Sequence, residues 1–255
     1  MGTGAITQYI DVAQLALYLF WLFFFSLVWY LHRENKREGY PLMDSHNPKY
    51  RPQGFPAVPS PKTFILPHGQ GTRMAPRQDG DAQYELKAEQ INPAPGFPLH
   101  PTGNPMLDGV GPAAYAIRPE KPDLTHEGEP RIVPLRVATD WHVDSNDPDP
   151  RGHSVYGVDD EVGGTVTDLW VDRAEPFVRY LEINASGRRV LMPMTMARVR
   201  GNGDVFVKSV CGKHFAEAPS TADPDMITLQ EEDKVAAYFG GGTLYALAER
   251  TEPLL

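Results

Sequence analysis

The residues of this 255-residue chain best suited to chemistry are acidic, and they fall into two groups. Asp172 and Glu175 follow the β-branched run Val166–Val171, with Arg173 and Arg179 nearby; Asp123, His126, Glu127 and Glu129 form the second group. Desolvation raises carboxylate pKa values and a neighbouring guanidinium lowers them. If a partner buried these groups, that balance would tune them to relay protons near neutral pH. Left in solvent, the same residues would be turn charges and surface ion pairs worth little.

Other chemistry finds less support. The histidines, His32, His46, His68, His100, His126, His142, His153 and His214, are scattered, and none forms HxH or HExxH. They read as ordinary surface or turn residues. His68-Gly-Gln-Gly71 has no strand–loop–helix around it, which argues against phosphate binding, and there is no GxSxG or P-loop. The single cysteine, Cys211, excludes an internal disulfide and thiolate-rich zinc or iron–sulfur sites. It fits a reducing compartment and reads as a small buried hydrophobe at a strand end. Neither a covalent nor a metal mechanism is indicated, so no catalytic residue, bound cofactor or metal is expected. The net charge of −9 lies entirely beyond residue 40, which argues against nucleic acid as a partner.

A scaffold for the acidic groups is legible from about Arg131. Arg131–Val137, Thr165–Val171, Phe177–Ile183, Arg189–Pro193, Met196–Val199 and Val205–Val210 read as short strands, with turn signals at Ser186-Gly187 and Asn202-Gly203. This spacing predicts a small antiparallel barrel or sandwich, with Pro193 at a strand end or edge. Thr228-Leu-Gln-Glu231 is a capping-box signature for a last helix, and Glu231, Glu232 and Asp233 suit its N-terminal dipole. Gly240-Gly241-Gly242 should weaken or end that helix, with Thr243–Ala248 available to resume it.

The scaffold hangs from a membrane helix. Val12–Leu31 contains no charge and as a helix spans about 30 Å, the thickness of a bilayer's hydrocarbon. It has no basic n-region or small-residue cleavage site, unlike a signal peptide. No Lys or Arg precedes it, whereas Arg33, Lys36 and Arg37 follow, so the N-terminus is expected outside and residues 33–255 in the cytoplasm. With His32, those basic residues are candidates for contact with anionic lipid headgroups. Gly39 and Pro41 are expected to end the helix. Twenty of the 25 prolines then lie between Pro41 and Pro150. Phe55, Thr63–Leu66, Phe97 and Val110–Ile117 interrupt that stretch, which reads as an extended strap filling pockets on a partner; residues 76–92 lack such anchors, and disorder is the alternative there. The expected domains are 1–11 outside, 12–31 spanning, 32–130 as the strap, and 131–255 as a mainly-β domain with a C-terminal helix.

Several strings, in order along nearly the whole chain, resemble the H subunit of the purple-bacterial photosynthetic reaction centre. They include Arg37-Glu-Gly-Tyr-Pro-Leu42, Lys62-Thr-Phe-Ile-Leu-Pro-His-Gly69, Asp108-Gly-Val-Gly-Pro112, Leu191-Met-Pro-Met194, Glu231-Glu-Asp-Lys234 and Gly240-Gly-Gly-Thr-Leu-Tyr-Ala246. The resemblance implies one transmembrane helix and a cytoplasmic PRC barrel capping the L and M subunits, in a bacterial inner or intracytoplasmic membrane. It implies a non-enzymatic subunit that holds no pigment. Bacteriochlorophyll, bacteriopheophytin, quinones and non-haem iron belong to L and M; a cytochrome subunit, the antenna and lipids are further candidate partners. By the same resemblance Asp172 and Glu175 relay protons to the secondary quinone and Arg179 tunes them. Where some relatives carry a histidine pair at the point of proton intake, this chain has Glu127 and Glu129, with His126 displaced by one. A membrane-tethered PRC-barrel binding module unrelated to photochemistry is the alternative.

Overall fold

A computed structural model of the protein describes residues 4–6, 9–42, 44, 49–77, 85–94 and 96–251; His46 and part of the 76–92 stretch lie outside these. The chain divides into two compact units, residues 1–82 with 94–96, and residues 83–93 with 97–255.

In the first unit, helix α1 (Val12–Glu34) starts at a reciprocal cap: Gln14 N–H donates to Asp11 Oδ1 at 2.7 Å, and Asp11 N–H to Gln14 Oε1. No residue of α1 is buried within the chain. Its aromatic and aliphatic side chains therefore face outward all round, as a helix in lipid or against partner helices requires. It is long and apolar enough to cross a membrane. The helix ends at Glu34, earlier than Gly39, and a 3₁₀ turn runs through Arg37 before Gly39 takes a left-handed φ of 74°. A hairpin of β1 (Lys62–Ile65) and β2 (Thr72–Ala75) follows. The basic residues after α1 tie its end to this segment. Lys36 is buried and donates to the carbonyls of Gln53 and Pro56, both at 2.6 Å. Arg37 binds the carbonyls of Ser60 and Ala75 as well as Glu34.

The second unit begins with the short pair β3 (Ala88–Glu89) and β4 (His100–Pro101) and the one-turn helix α2 (Pro105–Asp108). Its body is a sheet of β5 (Ile132–Pro134), β6 (Ser154–Tyr156), β7 (Val162–Asp172), β8 (Phe177–Ala185), β9 (Arg188–Pro193), β10 (Ala197–Val199) and β11 (Val205–Val207). The order is β10-β11-β6-β7-β8-β9, with β5 also paired to β7. The mainly-β domain is as expected, but the sheet is not closed. A 3₁₀ turn, Met194–Met196, joins β9 to β10 without a ladder between them, and β11 runs parallel to β6. Pro193 does end its strand, where its missing N–H costs nothing. The Ser186-Gly187 turn has both residues at positive φ, as a tight hairpin needs.

Helix α3 (Leu229–Tyr245) packs on this sheet, and Val235, Tyr238 and Phe239 join Trp170, Leu181, Ile183 and Phe215 in the core. Its capping box is formed: Thr228 Oγ1 accepts from Glu231 N–H, and Glu231 returns to Thr228 N–H at 2.8 Å. The three glycines do not end it. A Cβ on Gly241 would lie 2.5 Å from Ala113 Cβ, and one on Gly242 would lie 2.6 Å from the Ser209 carbonyl. They are the residues that let other backbone lie against the helix, and tertiary packing outweighs their poor propensity.

Candidate functional site

Asp172 closes β7 and is fully buried. Its Oδ1 accepts from the N–H groups of Ala174 and Glu175 at 2.9 and 3.0 Å, which shapes the turn into β8. Its two oxygens also accept from Arg131 Nε at 2.8 and 2.9 Å, and Oδ2 from Arg179 Nε and Nη2 at 3.1 and 3.0 Å. Burial alone pushes this carboxyl up. The Arg131 and Arg179 guanidiniums and the two N–H groups outweigh burial and hold it below the ordinary carboxylate range. Asp172 is therefore a fixed negative charge at neutral pH.

Glu175 stands beside it in solvent, its side chain 59% exposed. Its Oε1 meets Arg131 Nη2 at 3.0 Å, and its Oε2 lies 3.8 Å from Arg179 Nη2. Arg131 Nη1 reaches Asp123 Oδ2 at 3.3 Å. The structure thus brings Asp123, Asp172, Glu175 and Arg179 into one cluster, although Asp123 belonged by sequence to the other acidic group. Tyr180, on β8, donates to Glu232 of α3 at 3.0 Å. Burial raises both: the Tyr180 phenol, helped by the Glu232 charge, and the Glu232 carboxyl against the pull of Tyr180 and Arg179.

The remaining residues of the second group stay outside this cluster. Glu129 pairs with Arg173 at 3.1 Å, and Arg173 Nε also donates to the Pro130 carbonyl. His126 and Glu127 are exposed on the turn closed by Thr125 N–H to Glu129 O; hydrogen bonds from its own N–H and from Thr125 lower the Glu127 carboxyl. Of the four basic residues considered for lipid headgroups, His32 is exposed and Arg33 lies over Trp29, whereas Lys36 and Arg37 are held by the chain's own carbonyls.

Sequence reasoning missed Arg131, which read only as a strand residue. It also missed a second knot, in which Arg136 Nη1 donates to both Asp168 Oδ2 (3.0 Å) and Glu182 Oε2 (2.9 Å). Glu182 further accepts from Trp170 Nε1 at 3.0 Å and Thr167 Oγ1 at 2.9 Å. Asp168 and Glu182 face each other across the β7–β8 register and line a cleft of about 770 Å³ with Arg136, Arg151, Trp141 and His142. Cys211 is buried near a strand end, and burial raises its thiol. Among the described residues no three His, Cys, Asp or Glu side chains converge as metal ligands.

Comparison with known families places these features. Residues 143–210, which carry β6 to β11, match the PRC-barrel domain. Residues 4–137, more than half of the chain, match the N-terminal region of the photosynthetic reaction centre H-chain. With α1 apolar enough to span a membrane and an open PRC-type sheet later in the sequence, the chain belongs to the photosynthetic reaction centre H-chain family, a structural subunit assembled with the other subunits of that complex.

Proposed function

We propose that this chain caps the cytoplasmic face of the pigment-bearing L and M subunits and conducts protons to the secondary quinone. The observation that carries the relay is the pairing of a fully buried, ionised Asp172 with an exposed Glu175 through shared guanidiniums. The buried charge holds the arginines in place, and the exposed carboxylate exchanges protons with water. Asp172 sets the local field, Glu175 carries protons, and Arg179 tunes both. Asp123, with His126, Glu127 and Glu129 on the adjacent turn, forms the intake surface.

Placement follows from charge. The N-terminus is periplasmic and the acidic domain cytoplasmic, because the Lys and Arg residues flanking α1 all follow it. That is the side from which quinone reduction draws protons. Residues 32–130 lie as a strap over L and M, with exposed Phe55, Ile65, Tyr115 and Ile117 available to fill pockets there. His32 and Arg33 meet lipid headgroups. The chain holds no pigment, and bacteriochlorophyll, bacteriopheophytin, quinones and iron reside in its partners.

The test is Glu175→Gln in the purified complex. Proton-coupled transfer of the second electron to the quinone should slow, with primary charge separation intact. Unchanged flash kinetics would remove Glu175 from the route.

A further inference from the structure

We infer that Arg131 is the positioning residue of this relay, the one side chain that fixes the intake carboxylate Asp123 and the exposed Glu175 to the buried Asp172. The inference rests on the relay reading above and adds to it a residue and a geometric requirement.

Arg131 immediately precedes β5, whose register sets Ile132 opposite Asp172. Two backbone bonds pin it on either side: its N–H donates to the Asp123 carbonyl at 2.8 Å, and its carbonyl accepts from Arg173 N–H at 2.9 Å. The guanidinium then addresses three carboxylates with three different nitrogens. Nε takes both oxygens of Asp172, Nη1 meets Asp123, and Nη2 meets Glu175. Arg179 does not duplicate this, because its hydrogen bonds go to Asp172 alone and it stands 3.8 Å from Glu175.

A guanidinium presents its donors in a rigid planar fork, whereas an ammonium is a single point of charge. Only the fork can hold two solvent-reaching carboxylates at opposite ends while its stem is locked on a third. Asp172 serves as that lock, since a fully buried carboxylate with six donor contacts has no free lone pair to offer a moving proton. The proton-carrying groups are then Glu175 and Asp123, and their spacing is set by Arg131.

The experiment compares Arg131→Lys, Arg131→Gln and Glu175→Gln in the purified reaction centre, following first and second electron transfer to the secondary quinone after successive flashes. Arg131→Lys keeps the charge and removes the fork. It should slow the second, proton-coupled transfer by about a hundredfold, the lower end of what a placed acid–base group contributes, and leave the first unchanged. A wild-type second transfer in Arg131→Lys would show that charge alone suffices and would overturn the inference. Equal slowing of both transfers would overturn it too, by making Arg131 a general structural residue. If Arg131→Gln fails to assemble, the lysine variant decides alone. Slow Glu175→Gln with normal Arg131→Lys defeats only this inference, whereas normal Glu175→Gln defeats the relay reading beneath it.

Discussion

Two arginine–carboxylate clusters sit on the same pair of strands, and on the function proposed above their difference separates a fastener from a working site. Arg131 and Arg136 flank β5, and each binds acidic residues of β7 and the segments beside it. Around Arg136, Asp168 and Glu182 are both closed off, each with 8% of its side chain exposed; neutral donors from Thr167 and Trp170 add to their shell, and the exposed Asp225 meets Arg136 Nε at 3.1 Å. Around Arg131, one carboxylate is sealed and the next is open to water. Like charges directly across a ladder repel, so the Asp168–Glu182 pair depends on its guanidinium to exist at all. The Asp172 cluster has two guanidiniums for its one buried charge, and Asp123 and Glu175 both reach solvent from it. A buried salt bridge is thus poor evidence of function in itself, and so is an exposed carboxylate on the same guanidinium, since Arg136 has both. What sets the Arg131 cluster apart is that one guanidinium joins two solvent-reaching carboxylates to a single buried one.

The comparison is broken most sharply by removing a buried member of the fastener. Glu182→Leu takes one acceptor from Arg136, which keeps Asp168, and leaves the buried Trp170 indole and the Thr167 hydroxyl without that carboxylate; it should cost about 1–3 kcal/mol. A lowered thermal midpoint of the purified complex, with flash kinetics unchanged below it, is the expected result. A normal midpoint with slowed second-electron transfer would exchange the roles of the two clusters. Trp170→Phe removes a single donor to the same carboxylate and should cost about 1–3 kcal/mol in the same measurement.

How much of this could be seen beforehand depended on range. The apolar helix α1 needed only its own uncharged residues, Val12–Leu31, and the α3 cap only Thr228 and Glu231, three positions apart. Ser186-Gly187 marked its hairpin for the same local reason. The β6 strand, Ser154–Tyr156, is three residues long and carries no periodicity to read. Gly240–Gly242 stay within α3 against their propensity, which says nothing of Ala113 and Ser209, far off in the chain and in need of those bare Cα atoms. Arg131 was hidden in the same way: it meets Asp172, 41 residues later, only through the β5–β7 register. The acidic residues themselves were legible by type. Which of them share a guanidinium, and which face water, are properties of pairing and burial.

Asp172 and Glu175 differ in a way that acid reveals. The folded-state pKa of Asp172 is depressed, so its contribution is complete above the unfolded aspartate value, near 3.9, and is lost as pH falls through the folded value. Below about pH 4 the unfolded chain binds a proton that the folded chain does not. Stability should therefore fall there by up to about 1.4 kcal/mol per pH unit on account of this residue. In Asp172→Asn that part of the slope should vanish when denaturation of the complex is followed against pH. An unchanged acid limb would mean that Asp172 is not the locked charge the Arg131 and Arg179 contacts make it.

The smallest thermal effect belongs to a residue with a proposed kinetic role. Glu175 is exposed, and its bond to Arg131 competes with water and salt, so Glu175→Gln should change stability by only about 0–1 kcal/mol. Arg131 keeps Asp172 and Asp123 after the substitution, so no buried charge is stranded. What the amide cannot do is accept and release a proton at the end of the fork. Equal midpoints for wild type and Glu175→Gln, measured beside a slowed second-electron transfer, would show a residue kept for its titration and not for its contacts. A midpoint drop as large as that of Glu182→Leu would place Glu175 among the fasteners, and the distinction between the two clusters would fall with it.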